Sequence, residues 1–231
     1  MHVVSSRHPP GAVCMVSGEL TRYAPAMQSM MALKVPEGSV TAWFTGVLIA
    51  KSLNSALQVV ANNAALQWAW IMGDDHTFAS DVLMELLDRE LDVVAPLCLH
   101  RMPPLDPVIV EHGHPAGPRP KPLGSLPAGG LYKLAHDETC GDAGMLVRRS
   151  VLEKIGPPWY DHRQSGSLNA EDQAFVQRIK DAGVDVWVDL DCCIGHIGPV
   201  VFMPVRGDEG WCVRMMAAGR HVADLAQVPR L

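Results

Sequence analysis

The stretch Ala69-Trp70-Ile71-Met72-Gly73-Asp74-Asp75-His76 joins an apolar run to a polar turn. The apolar run predicts a buried strand, and the glycine and aspartates that follow predict the turn that ends it. Ligands of α/β sheets bind beyond the carboxyl ends of the strands. Two carboxylates and an imidazole at such an end can hold a hard divalent cation together with phosphate oxygens. An ordinary strand-to-helix turn is the alternative interpretation of the same residues.

Strand-like and helix-like patterns alternate on both sides of this stretch. Strands are predicted at residues 12–17, 39–44, 69–72 and 91–97, and helices at residues 21–33, 46–66 and 81–88. A chain that alternates strands with helices is typical of an α/β domain whose sheet is mostly parallel and flanked by helices. We therefore predict a Rossmann-like α/β fold.

In the second half of the chain, the alternation of strands and helices stops at about residue 101 and returns after about residue 143. Prolines and glycines within residues 101–130 exclude a regular helix or a central strand, so a long functional loop is predicted at about 101–135. Strands are predicted at 143–147 and 184–188, and helices at 150–155 and 170–182. The tail from about residue 205 is predicted to hold one helix around 213–218, within a single domain that spans residues 1–231.

Composition excludes several classes of protein. The chain has 231 residues, 48% of them hydrophobic, and a net charge of −6, which argues against binding nucleic acid mainly by charge. It contains no run of about eighteen apolar residues and no apolar signal segment, so no membrane span is expected. Six dispersed cysteines without a CxxC pair indicate reduced, buried thiols, and we expect a cytoplasmic protein.

Two further short motifs carry groups that suit catalysis. Glu171 and Asp172 open a predicted helix just after Asn169, so they either complete a capping box or supply a general base at the start of the helix. His196 lies between two glycines after a predicted strand, where the backbone can approach a ligand closely. Each motif alone is commonplace, and it is their order along the chain that indicates function.

Taken in order, these motifs resemble those of the GT-A fold glycosyltransferases, in particular the small single-domain bacterial and phage members of the family-two-like group. The similarity extends from about residue 13 to residue 198. Besides the motifs above, it is carried by the segments DVVAPL at 92–97, RMPP at 101–104, GDAGMLVRR at 141–149, PWY at 158–160 and AEDQAF at 170–175.

The resemblance implies a metal-dependent enzyme that takes a sugar from a nucleoside diphosphate, with UDP as the favoured nucleotide. It implies Mn²⁺ or Mg²⁺ as cofactor, held by Asp75, His76 and His196. The donor contacts that it implies come from Ser17, Asn54 and Asp74.

The resemblance also implies where the acceptor hydroxyl would be activated. Asp172 is expected to take the proton from the acceptor, with Glu171 as the other candidate for this role. Contacts with the acceptor are expected from Trp159, Tyr160 and Asp142. The acceptor itself stays open between a glycan, a small molecule and a modified base in phage DNA, so nucleic acid is expected as a partner only in the role of acceptor.

Two departures from the family pattern leave other functions open. If Asp75 is the second aspartate of the family's Asp-x-Asp motif, the position of the first is occupied by Gly73. Alternatively, Asp74 and His76 form an Asp-x-His variant of the motif. The arginine of an Ala-Arg-Asn motif before Asn54 is missing. A catalytically inactive nucleotide-binding scaffold on the same fold is therefore the main alternative, and a nucleotidyltransferase is a third.

Overall fold

The computed structural model describes residues 1–18, 23–46, 48–101, 104–161, 171–198, 201–207, 210–217 and 220–225. Its helices are α1 (Ala24–Ala32), α2 (Ile49–Asn62), α3 (Val82–Asp88), α4 (Arg149–Ile155) and α5 (Glu171–Asp181), with a 3-10 turn at Leu123–Ser125. Its strands are β1 (His2–Val4), β2 (Ala12–Ser17), β3 (Lys34–Pro36), β4 (Val40–Thr45), β5 (Trp68–Gly73), β6 (His76–Thr77), β7 (Val93–Leu97), β8 (Ile109–Glu111), β9 (Arg119–Pro120), β10 (Leu131–Lys133), β11 (Glu138–Cys140), β12 (Leu146–Arg148), β13 (Trp187–Cys193), β14 (Gly195–Ile197), β15 (Val201–Gly207), β16 (Gly210–Ala217) and β17 (Arg220–Leu225).

A seven-stranded sheet with the order β10-β13-β7-β12-β5-β2-β4 forms the central layer. Strands β4, β2, β5, β7 and β13 run in one direction, while β12 and β10 run in the other. The predicted α/β sheet flanked by helices is thus confirmed, but the sheet is mixed, so the prediction of a mostly parallel sheet holds only for those five strands. Strand β12 is antiparallel because the chain leaves β7 and returns to the sheet at the same edge.

Helices cover both faces of this sheet, and the alternation of side chains in β2 explains how. Ala12, Cys14 and Val16 of β2 join the core cluster that includes buried residues of α2, α4 and α5. Val13 and Met15 face the opposite cluster, which includes buried residues of α1 and α3. An uninterrupted apolar run predicts a strand that is buried on both faces, and the predicted bounds of β2 are confirmed at both ends.

The proline-rich region contains more regular structure than the predicted loop. Strands β8, β9 and β11 form a separate three-stranded sheet beside the central one. Apolar side chains of the region reach the core, and they include Leu105, Ile109, Leu123, Leu126 and Leu134. The prediction of a loop without secondary structure over 101–135 is therefore wrong for the described part, because buried apolar residues between the prolines hold the segment against the core.

The predicted helix around residues 213–218 is also wrong where the structure describes it. Val213 lies in β16, which pairs with β15 from Gly210 to Met216. Trp211 of this strand packs against the Arg206 guanidinium at 4.9 Å, and its indole nitrogen donates a hydrogen bond to the carbonyl of Pro127. Pairing with a partner strand outweighs local helical preference here. Residue 218 lies outside the described residues.

The remaining predictions agree with the described chain to within a few residues. The predicted strands at 39–44, 69–72, 91–97, 143–147 and 184–188 overlap β4, β5, β7, β12 and β13. The predicted helices overlap α1 to α5, although residues 21, 22, 47 and 170 of those predictions, and the predicted cap at 169, lie outside the described ranges. All six cysteines are free thiols, and four of them are buried. Among the described helices, none has the length and apolar character to cross a membrane.

Candidate active site

Polar residues gather where neighbouring strands of the central sheet end. Strand β2 ends at Ser17 and β5 ends at Gly73, and the register of these parallel strands pairs Val16 with Gly73. Strands β7 and β13 end side by side, with Leu97 paired to Cys193. The chain segments that follow these strands therefore meet at one edge, as the strand-end argument predicts.

The Asp75 carboxylate lies at the centre of this edge. Its Oδ2 is 3.2 Å from the Arg101 guanidinium and 3.3 Å from Nε2 of His196. Its Oδ1 is 2.8 Å from Nδ1 of His76. Burial acts to raise the pKa of Asp75, but the neighbouring His196 and His76 rings outweigh it and hold that pKa well below its usual range. Asp75 is therefore an anion that is ready to bind a cation.

His196 faces Asp75 with the nitrogen that can bind a cation. Its Nδ1 lies 2.9 Å from the carbonyl oxygen of Leu99, and because a carbonyl only accepts, Nδ1 must carry the hydrogen. In the neutral ring, Nε2 then directs a lone pair towards Asp75 Oδ2. Two acceptors face each other in this way only if a proton or a metal ion is shared between them. A histidine whose other nitrogen is fixed by a carbonyl is the usual form of a metal ligand.

His76 is brought next to His196 by a short antiparallel ladder. Strands β6 and β14 pair His76 with His196 directly, and the backbone N–H of Ile197 donates to the carbonyl of Asp75. The two imidazole rings stack with their centroids 4.5 Å apart. The structure thus brings Asp75, His76 and His196 together, and their donor atoms suit a divalent cation. Whether they hold one stays a prediction.

A cavity of about 450 Å³ opens beside this cluster, a size suited to a small ligand. Asp74, Asp75, His76, Arg101 and Asp142 contribute its polar lining. The hydroxyl of Ser17 hydrogen-bonds to Oδ2 of Asp74. Among the expected donor contacts, Ser17 and Asp74 are therefore at the site.

Asp142 reaches the cavity from the turn before β12. Gly144, with φ of +72°, makes this turn possible, and its N–H donates to the carbonyl of Ile71 in β5. The Tyr160 hydroxyl donates a 2.6 Å hydrogen bond to the Asp142 carboxylate. Burial raises the pKa of Asp142, against the effect of this hydrogen bond. Asp142 therefore lines the cavity, whereas Tyr160 is buried behind it, and the contact of either residue with an acceptor stays a prediction.

Asp172 lies in the first turn of α5, close to the strand that leads to Asp142. A β-carbon placed on Gly141 would lie 3.4 Å from Oδ2 of Asp172. Its Oδ1 accepts a 2.7 Å hydrogen bond from the backbone N–H of Gln173. Burial, followed by the charge of Asp142, raises the pKa of Asp172 to about 7. A half-buried carboxyl with such a pKa is suited to exchange protons near neutral pH.

Glu171 stands next to Asp172 and adds negative charge to the same region, since it contributes to raising the pKa of Asp172. The alternative capping box with Asn169 involves a residue outside the described ranges. The described contacts leave Asp172 as the general base candidate and Glu171 as its neighbour.

Two predicted site residues lie away from the cavity. The amide of Asn54 is fully engaged with backbone: its nitrogen donates to the carbonyls of Ala50 and Tyr160, and its oxygen accepts from the N–H groups of Trp159 and Tyr160. The Trp159 side chain is buried, and its indole nitrogen donates to the carbonyl of Leu152. Asn54 thus fixes the segment that carries Tyr160, and the Trp159 ring presents no exposed face to a sugar.

Two residues at the site received no role from the sequence. Arg101 belongs to the RMPP motif at 101–104, and its guanidinium contacts Asp75. Cys98 follows β7 directly, and the structure places its sulfur near His76 and His196. Their position just after a strand that ends at the same edge is the signal that could have identified both.

No protein-family model matches this chain, and no curated protein matches it. Among solved structures, the chain is similar to A197 from STIV, with a TM-score of 0.61 and 11% identity over 92% of this chain and 96% of that one. It is also similar to S. aureus TarS 1-349 in complex with UDP-GlcNAc, with a TM-score of 0.48 and 11% identity over 78% of this chain and 55% of that one. The likeness to A197 establishes a shared fold alone. Membership of the family-two-like group and a bacterial or phage source stay predictions.

Proposed function

We propose that this protein transfers a glycosyl group from a nucleoside diphosphate sugar to a hydroxyl acceptor. One observation carries the proposal: the Asp75 carboxylate lies at the carboxyl edge of the sheet between two imidazole rings and the Arg101 guanidinium, beside a cavity. A carboxylate with basic groups around it suits the joint binding of a cation and a diphosphate. The order of the sequence motifs supports the same conclusion.

On the donor side, each residue has a task that its position supports. Asp75, His76 and His196 would hold the divalent cation, for which the sequence predicts Mn²⁺ or Mg²⁺. A bound cation supplies positive charge to the diphosphate as it leaves. Arg101, whose side chain is half exposed, is placed to add a second positive charge on the same phosphates. Asp74, held by the Ser17 hydroxyl, is placed to accept hydrogen bonds from a ribose.

On the acceptor side, Asp172 takes the proton. The acceptor oxygen forms a bond to the anomeric carbon while the bond from that carbon to the diphosphate breaks, and the hydroxyl proton moves to the Asp172 carboxylate. A base with a pKa of about 7 is deprotonated in about half of the molecules at neutral pH and still binds a proton well enough to assist. After burial, the largest contribution to this raised pKa comes from Asp142, whose carboxylate accepts the hydrogen bond from Tyr160.

A nucleotide-binding scaffold without transfer is the second candidate, and one contact favours it. The Arg101 guanidinium lies 3.2 Å from Asp75 Oδ2, so a permanent cation already neutralises the carboxylate. On this hypothesis the guanidinium would bind the phosphates without a metal, and the protein would not break the bond to the sugar.

A donor screen separates these functions. The purified protein is incubated with UDP-, GDP- and TDP-sugars, with manganese or with EDTA, and the released nucleoside diphosphate is measured. We expect metal-dependent release from at least one donor, UDP-sugars foremost. Binding of a nucleotide that EDTA does not weaken, without any release, would establish the scaffold instead. Absence of both binding and release would overturn the proposed function.

A further inference from the structure

The thiol of Cys98 lies beside the two histidines of the candidate active site. One ligand atom from each of His76, Cys98 and His196 falls within 4.8 Å of the other two. We infer that this site takes a thiophilic divalent cation of the zinc class, with Cys98, His76 and His196 as protein ligands and the Asp75 carboxylate beside them. The inference rests on the proposed function only in that both place a cation here.

The distances suit one four-coordinate ion. Zinc lies about 2.0–2.1 Å from nitrogen and oxygen ligands and about 2.3 Å from sulfur, so two ligands of a tetrahedral ion are roughly 3.3–3.6 Å apart. His196 Nε2 and Asp75 Oδ2 already stand at 3.3 Å. The ligand atoms of His76, Cys98 and His196 are up to 4.8 Å apart, so their separations must shorten by about 1 Å to bind one ion. Rotation of the side chains can supply this change.

His76 provides an independent indication that the site has a ligand. Its side chain is 7% exposed, and neither ring nitrogen has a hydrogen-bond partner among the described residues. Nδ1 is close to Asp75 Oδ1, at 2.8 Å, but the two are not aligned as a hydrogen bond. A buried polar group without a partner costs about 1–3 kcal/mol, so native proteins seldom keep one without a ligand or water. A cation in the cluster gives His76 that ligand.

The chemistry of the donor atoms decides between classes of cation. Mg²⁺ and Ca²⁺ select oxygen ligands, and Mg²⁺ usually keeps several waters. Thiolate and imidazole select zinc and its neighbours, and affinity rises from manganese towards zinc for a given set of ligands. Here sulfur and two imidazoles outnumber the one carboxylate among the groups around the site. Among the described residues, the Cys98 sulfur has one weak hydrogen bond, 3.6 Å from the carbonyl oxygen of Leu99, so little is lost when it turns to a cation.

Cobalt is the direct probe, because a cobalt–thiolate bond gives a charge-transfer band in the near ultraviolet and tetrahedral cobalt absorbs strongly in the visible. Protein freed of metal with a chelator is titrated with Co²⁺ and no nucleotide. We expect both absorptions, saturation at one ion per chain, and full displacement by one equivalent of Zn²⁺ but not by excess Mg²⁺. A parent protein that lacks the charge-transfer band, or that prefers Mg²⁺, overturns the inference.

Variants identify the sulfur. Cys98→Ser should abolish the charge-transfer band and weaken zinc binding at least about tenfold, while Cys212→Ser, which alters a thiol in β16, should leave both unchanged. His76→Gln should keep the charge-transfer band and lose affinity, and it serves as the test if the Cys98 variant does not fold. A band that survives in folded Cys98→Ser, or disappears in Cys212→Ser, contradicts the assignment.

The two proposals fail separately. A thiolate band without any release of nucleoside diphosphate leaves the zinc-class site standing and removes the transferase. Metal-dependent release of nucleoside diphosphate without a thiolate band supports the transferase and removes the zinc-class site.

Discussion

The hydroxyl of Tyr160 donates a 2.6 Å hydrogen bond to the carboxylate of Asp142. Asp142 lines the cavity, and its charge raises the pKa of Asp172. Two carboxyl groups in different surroundings, one bonded to a phenol and one to a backbone N–H, are a common way to divide acid and base roles. The pair therefore makes its own prediction about pH.

We expect the rate of transfer to follow the ionisation of Asp172. Below a pH of about 7 the rate should fall about tenfold for each pH unit, because the base becomes protonated, and above it the rate should level off. Asp142→Asn removes a like charge, so the acidic limb of the pH–rate profile should move to lower pH. Asp185→Asn, which alters a surface ion pair with Lys133, is the control. If the acidic limb of the pH–rate profile does not move in Asp142→Asn, the charge of Asp142 does not influence the pKa of Asp172.

Asp172→Asn tests the base itself. It keeps the size of the side chain and an oxygen that can accept from the Gln173 N–H, but it cannot take the proton. We expect normal folding and donor binding, with transfer reduced at least about a hundredfold. Glu171→Gln is the matched control and should retain most of the rate. If Asp172→Asn transfers at the parent rate while Glu171→Gln does not, the base is Glu171.

The same substitution should stabilise the fold at alkaline pH. The pKa of Asp172 is about 7 in the folded chain and about 3.9 in an unfolded one, so its ionisation disfavours folding. This cost is absent below about pH 4, grows as the pH rises, and is complete above about pH 7. Asp172→Asn should therefore raise the free energy of unfolding at pH 8, on the order of 1–3 kcal/mol, and much less at pH 4. Denaturant titrations at the two pH values measure it, and a loss of stability at pH 8 would show that capping dominates.

How far the sequence predicts this molecule depends on the range of the interactions involved. The bounds of β2 follow from an apolar run alone, because a strand buried on both faces needs little else to specify it. The strand β16 does not follow from its own residues, since its stability comes from pairing with β15 and β17 on either side. Non-local pairing of this kind leaves no local signal, and a weak helical pattern over 213–218 was misleading.

The candidate site divides in the same way. Asp75 and His76 come directly after one predicted strand and His196 after another; the resemblance implies that the three act together, and the structure brings them together. Cys98 also follows a strand, but a cysteine in an apolar run is most often a buried thiol, so no separate signal marks it as a ligand. The position of Asn54 is invisible in sequence as well, since its partners at Trp159 and Tyr160 are brought to it only by folding.

Asn54 should therefore matter more for stability than for donor binding. Asn54→Ala leaves the N–H groups of Trp159 and Tyr160 and the carbonyl of Tyr160 without their partner. We expect a loss of about 2–4 kcal/mol in the free energy of unfolding, with nucleotide affinity little changed in the folded protein. Gln58→Ala, at an exposed position on the same helix, should cost little. Unchanged stability with weakened nucleotide binding would instead support the donor contact that the sequence predicts.

Substitution of Asp75 tests the proposal that metal binding and donor binding depend on the same carboxylate. In the parent protein, UDP or GDP should raise the melting temperature more with manganese, magnesium or zinc present than with EDTA, because a cation joins the Asp75 carboxylate to the phosphates. Asp75→Ala should remove most of the metal-dependent part of this shift. It leaves Arg101 and both imidazoles in place, so a smaller shift that EDTA does not change should survive, from direct contact between Arg101 and the phosphates. Asp185→Asn should behave as the parent does. If nucleotide raises the melting temperature of the parent equally with metal and with EDTA, no cation takes part in donor binding. The Arg101 contact with Asp75 would then favour the nucleotide-binding scaffold.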